Sequence, residues 1–210
     1  MKLALSDFSD SNMDSTISTD PTTRRAVFLD RDGTINVETS YLHKVEDFEF
    51  IPGAPEAIKK LKDAGFLVIV ISNQSGIARG YFDEDAVRIL HHHIQNELKA
   101  IGTTIDAFYF CPHHPVKGIG DYKVVCECRK GAPGMLLQAS EEHGVDLNKS
   151  FMVGDKLADI EAGQRAGCQP VLVMTGYGAK VAEELKLAGV EKCRDLGAVA
   201  EFIVEQVSEK

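Results

Sequence analysis

The sequence predicts an α/β fold in which a parallel sheet lies between two layers of helices, a three-layer, doubly wound arrangement. Two observations lead to this prediction. Short apolar strands alternate with amphipathic helical segments from residue 24 onward, and such alternation favours right-handed β-α-β units. The first strands are also continuous apolar runs and not alternating ones, which is typical of a sheet that is covered on both faces.

The predicted elements follow one another in a regular order. The strands are predicted at Ala26–Leu29, Leu67–Ile71, Ala107–Phe110, Phe151–Val153 and Val171–Met174. The helices are predicted at Ala54–Ala64, Glu84–Ile101, Pro133–His143, Asp159–Ala166 and Ala198–Gln206. Residues 1–23 are rich in Ser, Thr and Asp and show little apolar periodicity, so we predict a mobile tail there and a single domain over residues 24–210.

The composition limits the possible functions. The chain has 210 residues, a net charge of −9 and a pI near 5.3. We expect no nucleic-acid partner, because binding nucleic acid requires a basic surface. No apolar stretch approaches the length of a membrane span, so we expect a cytoplasmic protein without a membrane partner, and a monomer. In that compartment its five cysteines fit thiols or metal ligands better than disulfides.

Two aspartates follow the first predicted strand directly. Asp30 and Asp32 stand two positions apart, and Gly33 turns the backbone after them. They fall at the carboxyl end of the strand, where open α/β sheets build their binding sites. Two crowded carboxylates repel each other unless a cation or a proton lies between them, so they indicate chemistry on an anion assisted by a hard metal ion. The alternative is an Asp-Gly turn that closes a hairpin.

Three further polar clusters lie at strand ends or just before helices. They are Ser72-Asn73-Gln74-Ser75, Arg129-Lys130, and Gly154-Asp155 with Asp159 four residues further on. In a doubly wound sheet the strand ends gather along one edge. A hydroxyl, a lysine and several carboxylates are together the groups that phosphoryl transfer uses. Each cluster by itself also fits a turn, a solvated surface or a helix cap.

The order and spacing of these motifs resemble the haloacid dehalogenase superfamily of phosphatases. The matching positions are Asp30-x-Asp32-Gly33-Thr34, Ser72, Lys130 and Gly154-Asp155 with Asp159. The resemblance covers about residues 24–195 and implies the Rossmann-like fold of that superfamily.

The resemblance also implies a mechanism in which Asp30 is the nucleophile and forms an aspartyl-phosphate. Asp32 would protonate the leaving oxygen and later take a proton from the attacking water. Mg²⁺ would be held by the carboxylates of Asp30 and Asp155 and by the backbone carbonyl of Asp32. Ser72 and Lys130 would bind the oxygens of the transferred phosphoryl group.

A second signal comes from Cys111-Pro112-His113 and Cys126-Glu127-Cys128. Three sulfurs and one imidazole in two close pairs suit a tetrahedral Zn²⁺ site, and four protein ligands leave no open position, so the ion would be structural. We therefore predict a zinc loop over residues 111–128, with Cys111, His113, Cys126 and Cys128 as ligands; His114 is also available, but the resemblance implies His113, since the family uses Cys-x-His spacing. The alternatives are buried free thiols or a disulfide from Cys111.

The zinc loop narrows the resemblance to the D-glycero-D-manno-heptose 1,7-bisphosphate 7-phosphatases. The similar stretches are Phe28–Asn36, Ser72–Gly80, Cys111–Pro115, Cys126–Lys130 and Met152–Lys156. These enzymes lack a large cap domain, and this chain has no room for one after either of its first two strands. The resemblance implies a small phosphorylated sugar as substrate, in contact with Glu38, Thr39, Ser40, Tyr41, Asn73, Gln74, Ser75, Arg129 and Lys156.

Two other functions stay open at this point. Histidinol-phosphate phosphatases have the same aspartates and a similar zinc loop, but act on one phosphate and an amino alcohol; the run Ser75–Gly80 and Tyr41 favour the heptose interpretation. A zinc-stabilised binding module could hold Mg²⁺ without catalysis. The complete set of Asp30, Asp32, Ser72, Lys130 and Asp155 argues against that module, which would have no use for all of them.

Overall fold

A parallel sheet forms the middle layer of the computed structural model, which describes residues 24–185 and 189–208. Its strands are β1 Ala26–Leu29, β2 Leu67–Asn73, β3 Ala107–Cys111, β4 Phe151–Gly154, β5 Gln169–Val173 and β6 Glu191–Cys193. Their spatial order is β3-β2-β1-β4-β5-β6, and every neighbouring pair is parallel. The chain winds outward from β1 in one direction and from β4 in the other, so β1 and β4 meet at the switch point where such sheets bind ligands.

Helices cover both faces of this sheet. In chain order they are α1 Ala54–Asp63, α2 Ser75–Ala78, α3 Glu84–Ala100, α4 Gly134–His143, α5 Leu157–Ala166, α6 Gly178–Leu185 and α7 Leu196–Ser208. One buried apolar cluster joins α1, α3 and α7 to the face of β1 that carries Val27. A second cluster joins α4 and α5 to the opposite face, which carries Phe28. The predicted three-layer, doubly wound fold is confirmed.

The central position of β1 explains its continuous apolar sequence. All four of its residues are buried, because alternate side chains point to opposite faces and helices cover both. Fully burying a side chain such as Phe28 or Leu29 contributes about 1.5–3 kcal/mol. This packing fixes the end of β1, and with it the position of Asp30, the next residue in the chain.

The structure differs from the sequence prediction mainly at the ends of elements. β2 runs on to Asn73, β5 spans Gln169–Val173, and α5 begins at Leu157 and not at Asp159. The prediction also omits α2, α6 and β6. Only Cys193 of the three residues in β6 is buried, so this edge strand has too few apolar positions to produce a periodic signal.

Neither of the first two strands is followed by a cap domain. Residues 30–53 connect β1 to α1 through a loop with one short 3₁₀ turn, and residues 74–106 consist largely of α2 and α3. The prediction of a fold without a large cap is confirmed. The predicted tail, residues 1–23, lies outside the described residues. Among the described helices, none combines the length and the apolar character that crossing a membrane requires.

Candidate active site

The carboxyl ends of β1 and β4 bring three buried aspartates together. Asp30 follows β1, Asp155 follows β4, and Asp159 lies in the first turn of α5. Each is at most 3% exposed, and one carboxylate oxygen from each lies within 4.8 Å of the other two. We call these three residues the carboxylate cluster. Charges buried this closely need cations to balance them.

Gly33 allows the loop after β1 to cross the carboxylate cluster. Its φ of 90° lies in the left-handed region that favours glycine, and a Cβ at this position would collide with Oδ2 of Asp155. The loop closes where the N–H of Gly33 donates to the carbonyl of Asn36 at 2.8 Å. Because β1 pairs in parallel with β2 and β4, the hairpin interpretation of the Asp-Gly pair is wrong.

Lys130 supplies one of the balancing cations. Its Nζ lies 2.6 Å from Oδ1 of Asp30 and 2.7 Å from Oδ1 of Asp159, and its side chain is 3% exposed. Burial disfavours the charged form, but the two carboxylates outweigh this effect and raise the pKa of Lys130 above its ordinary value. Lys130 is therefore a fixed ammonium group that joins Asp30 to the start of α5.

Lys156 brings a second cation to the same oxygens. Its Nζ donates to the carbonyl of Asp32 at 3.2 Å and lies 3.7 Å from Oδ2 of Asp30 and 3.2 Å from Oδ1 of Asp155. These are the three groups that the sequence analysis assigns to Mg²⁺. Since they already converge on one cationic atom, and since hard oxygen donors are the ligands that Mg²⁺ prefers, the residues fit a magnesium ion. Glu38 also accepts from Lys156, at 3.0 Å.

The crowding of the carboxylate cluster affects the pKa of Asp155. Burial, together with the negative charge of Asp30, raises the pKa of Asp155 to about 7. The nearby charge of Lys156 and a hydrogen bond from the N–H of Tyr177 at 2.8 Å act in the opposite direction. A carboxyl with this balance gains more than an ordinary aspartate from a metal ion placed between it and Asp30.

Asp32 lies beside the carboxylate cluster and is held by different partners. Arg31, which is fully buried, donates to it from Nε at 3.1 Å and from Nη2 at 2.9 Å. Asn36 and Gln74 donate further hydrogen bonds at 3.0 and 3.1 Å. Burial opposes ionisation of this carboxyl, but the charge of Arg31 and these hydrogen bonds hold the pKa of Asp32 below its usual value. Its orientation is therefore fixed before any ligand binds.

The loop after β2 is tied to the loop that carries Lys130. Asn73 Oδ1 accepts from the N–H of Lys130 at 2.9 Å, and Asn73 Nδ2 donates back to the Lys130 carbonyl at 3.4 Å. Ser72 is 1% exposed, and its hydroxyl accepts from Gln74 Nε2 at 2.6 Å. The loop that follows the predicted hydroxyl is thus hydrogen-bonded to the loop of the predicted lysine at the same edge of the sheet.

A cavity of about 540 Å³ opens above these groups. Eight of the nine predicted substrate contacts line it: Glu38, Ser40, Tyr41, Asn73, Gln74, Ser75, Arg129 and Lys156. Thr39 is exposed and is not part of the lining. Ser40 and Tyr41 have positive φ angles of 54° and 60°, a conformation that costs non-glycine residues about 1 kcal/mol or more. The surrounding structure therefore holds the backbone of this loop in a conformation that Ser40 and Tyr41 would not favour by themselves.

The predicted zinc ligands also come together. The sulfurs of Cys111, Cys126 and Cys128 lie 3.1–3.6 Å apart, and Nδ1 of His113 lies 3.3 Å from Sγ of Cys128. We call these four residues the thiol cluster. A tetrahedral zinc ion with bonds of about 2.3 Å places its sulfurs about 3.8 Å apart, so the donor set fits this metal. All five cysteines are free, so the disulfide alternative is wrong.

The thiol cluster borders the cavity directly. Arg129 and Lys130 follow Cys128 in the chain, and Nη1 of Arg129 donates to the carbonyl of His113 at 3.1 Å. The N–H of Gln74 donates to the carbonyl of Cys111 at 2.8 Å. Any ion that holds the four ligands together therefore also fixes the backbone of the cationic loop at the cavity.

Some residues that shape the site are missing from the predicted set. The sequence analysis gives no role to Arg31, which orients Asp32, and none to Asp159 beyond its match to the fourth motif. The four-residue spacing from Asp155 to Asp159 is a usable signal in the sequence, because it places both carboxylates at the start of one helix. The four residues Tyr177, Lys180, Val181 and Glu184, which also line the cavity, belong to the unpredicted helix α6 and the turn before it.

The fold and the carboxylate cluster together define a hydrolase of the haloacid dehalogenase class. A family model described as HAD-hydrolase-like matches residues 127–199. The chain is 49% identical, over 154 residues, to the D-glycero-β-D-manno-heptose-1,7-bisphosphate 7-phosphatase of Pasteurella multocida, covering 73% of this chain and 83% of that one. It is 46% identical over 152 residues to the Escherichia coli K12 enzyme of the same name, covering 72% and 80%.

A solved structure extends this similarity to the fold. The D,D-heptose 1,7-bisphosphate phosphatase of B. bronchiseptica, complexed with magnesium and phosphate, superimposes with a TM-score of 0.77 at 37% identity, covering 87% of this chain and 99% of that one. The chain therefore belongs to the family of D-glycero-D-manno-heptose 1,7-bisphosphate 7-phosphatases. It is a phosphoric monoester hydrolase, as the sequence analysis predicts.

Proposed function

We propose that this protein removes the 7-phosphate of D-glycero-D-manno-heptose 1,7-bisphosphate through an aspartyl-phosphate on Asp30. The observation that carries the proposal is the position of this buried carboxylate at the switch point, between two lysines and beneath a cavity that also contains Arg129. The relatives from Pasteurella multocida and Escherichia coli are phosphatases of this sugar bisphosphate, and their identity to this chain supports the same substrate.

The first step transfers the phosphoryl group to the protein. A carboxylate oxygen of Asp30 attacks phosphorus, and the bond between phosphorus and the oxygen on carbon 7 breaks. Lys130 and Lys156 reduce the repulsion between the carboxylate and the incoming dianion, since both hold their charge beside Asp30. Ser72 and Lys130 bind the equatorial oxygens, whose charge changes during the transfer.

Asp32 moves the protons in both steps. Its proton goes to the departing oxygen of the sugar, and in the second step it takes a proton from the water that attacks phosphorus, which releases phosphate and regenerates Asp30. The free carboxyl is held ionised by Arg31. A bound phosphate dianion places like charge beside it, which raises its pKa and favours the protonated form that the first step needs.

Asp30, Asp155 and the carbonyl of Asp32 would hold Mg²⁺. All three groups already lie around one cationic atom, Nζ of Lys156. When bound, the ion supplies positive charge that screens the nucleophile from the phosphate and stabilises the transferring oxygens. The burial of the Asp30 and Asp155 carboxylates makes this charge more effective than it would be in water.

Arg129 and the zinc loop would give the enzyme its preference for a bisphosphate. A guanidinium offers a planar fork of donors to a phosphate, and Arg129 is held at the cavity by His113. Cys111, His113, Cys126 and Cys128 would bind structural Zn²⁺. The acidic pI and the single phosphatase domain suit a cytoplasmic monomer with a small phosphorylated sugar as its ligand.

The deciding experiment measures phosphate release with Mg²⁺ from both anomers of heptose 1,7-bisphosphate and from histidinol phosphate, side by side. We expect kcat/KM to favour the bisphosphate by at least about a hundredfold, since only this substrate uses Arg129 as well as the carboxylate cluster. A preference for histidinol phosphate would keep the mechanism and replace the substrate. If the protein turns over neither these substrates nor an aryl phosphate, the result would support the binding module instead.

A further inference from the structure

One wall of the cavity comes from a part of the chain that carries none of the phosphatase motifs. Tyr177, Lys180, Val181 and Glu184 line the cavity together with Asp30 and Arg129. We call these four residues the α6 wall. They belong to α6 and to the turn before it, and the sequence analysis assigns them no role.

The α6 wall is attached directly to the catalytic loops. The hydroxyl of Thr175 donates to the carbonyl of Gly33 at 2.6 Å, in the loop that carries Asp32. The N–H of Tyr177 donates to Oδ2 of Asp155 at 2.8 Å, and the N–H of Val181 donates to the carbonyl of Tyr177 at 3.0 Å. Lys180 is therefore held at a fixed distance from the carboxylate cluster by helix backbone, although its side chain is free to extend.

The cations around the cavity divide into two groups. Lys130 and Lys156 both contact Asp30, at 2.6 and 3.7 Å, so they are positioned for the phosphate that reacts. Arg129 and Lys180 also line the cavity, and neither forms an ion pair with the carboxylate cluster within the described part of the chain. The side chain of Lys180 is 70% exposed, and its ion pair with Glu184 is long, at 3.7 Å. Such an exposed pair exchanges easily for a stronger anion.

We propose that Lys180 determines substrate specificity by binding the second, non-reacting phosphate of the sugar bisphosphate together with Arg129. This inference rests on the proposed function, because it needs a substrate with two phosphates. A dianion offers Lys180 more charge than Glu184 does, and the open end of the cavity lets a flexible lysine reach it. Because the ammonium is exposed, its contribution is smaller than that of a buried contact and depends on salt.

The test compares Lys180→Met with Lys149→Met. Lys149 is a matched control, since its side chain is also mostly exposed at 61% and pairs with one carboxylate, Asp146, but it precedes β4 at the opposite edge of the sheet. Steady-state kinetics are measured with heptose 1,7-bisphosphate and with the same sugar carrying only the 7-phosphate. The thermal unfolding midpoint of each variant checks that it folds.

For Lys180→Met we expect KM for the bisphosphate to rise about fivefold at low salt, with kcat unchanged. The effect should shrink at about 0.5 M salt, and Lys180→Arg should restore most of the affinity. KM for the monophosphate should not change, and Lys149→Met should match the unmodified protein with both substrates.

The outcomes separate this inference from the proposed function. If the unmodified protein prefers the bisphosphate and Lys180→Met leaves its KM unchanged, or raises both KM values equally, the inference is wrong and the proposed function stands. If the unmodified protein turns over the bisphosphate and the monophosphate equally well, only the inference is wrong; if it does not turn over the bisphosphate, both are wrong.

Discussion

The carboxylate cluster and the thiol cluster are both compact groups of possible metal ligands, but they balance their charges in opposite ways. Asp30, Asp155 and Asp159 are buried beside two lysines, so protein cations already balance part of their negative charge. In the thiol cluster, burial raises the pKa of Cys111 and the sulfurs contact one another. A metal ion at the first cluster exchanges with movable cations, whereas a metal ion at the second replaces protons.

This difference separates a site that reacts from a site that holds the chain in place. Lys130 is held in place by two carboxylates, whereas Lys156 is 37% exposed and has room to move aside for a hard metal ion, which oxygen ligands suit. Four nitrogen and sulfur ligands enclose a zinc ion and leave no position for substrate. The two clusters are joined by Cys128-Arg129-Lys130, so a metal ion bound at the thiol cluster would fix the backbone of the loop that carries Lys130.

The largest expected effect is the loss of turnover in Asp30→Asn. The amide cannot act as a nucleophile toward phosphorus, so kcat should fall by about 10⁴-fold or more, equivalent to about 5.5 kcal/mol. Phosphate release in the presence of Mg²⁺ measures the effect, and a thermal melt shows whether the fold is retained. Asp63→Asn, at an exposed position of α1, is the control and should keep full activity. An active Asp30→Asn would refute the assignment of the nucleophile.

Loss of the thiol cluster should reduce stability more than chemistry. In Cys128→Ala the zinc content should fall, and the free energy of unfolding should drop by about 3 kcal/mol or more, which lowers the midpoint by about 6–12 °C. Metal analysis and thermal denaturation measure both quantities. Cys168→Ala removes a buried thiol outside the cluster and should keep its zinc. Freshly purified protein that contains no zinc would show that the thiol cluster is not a zinc site.

Asp159→Asn tests whether the carboxylate cluster depends on its internal cations. Without this charge Lys130 keeps only Asp30 as an ion-pair partner, and its ammonium is less firmly placed for the phosphate. We expect kcat to fall about 10–100-fold with little change in zinc content. The control is Asp85→Asn, which breaks an exposed ion pair with Arg88 on α3. Equal activity in the two variants would mean that Lys130 needs no second anchor.

The sequence predicts the chemical motifs of this molecule better than the surroundings that hold them. β1 and Asp30 are predictable, because a fully buried strand has a continuous apolar pattern and the acids follow it locally. Asp155 and Asp159 are predictable for the same reason, because Asp155 comes directly after the apolar strand β4 and Asp159 follows four residues later. The pairing of Arg31 with Asp32 is not predictable, since a basic residue between two acids gives no sign of being buried. The α6 wall escapes prediction because its place at the cavity depends on contacts from Thr175 and Tyr177 to distant loops.

His91 is a buried titratable group outside both clusters, and it can be compared with them. His91 is 6% exposed and stacks on Phe108 with ring centroids 4.5 Å apart, and its Nε2 has no hydrogen-bond partner within the described part of the chain. Burial and the nearby charge of Arg31 lower the pKa of His91 to about 3. The neutral ring is therefore the folded form near pH 7.

The smallest expected effect is the contribution of His91 to acid sensitivity. Between pH 6.5 and about 3 the unfolded chain binds a proton that the folded protein excludes, so stability falls as the pH falls through this window. At pH 5.5 the loss should be about 1.4 kcal/mol relative to pH 7.5. Denaturant unfolding with both metals in excess measures it, and His91→Phe should remove this part of the slope while His92→Phe, at an exposed position, should not. If His91→Phe leaves the slope unchanged, the buried imidazole does not contribute to the acid sensitivity.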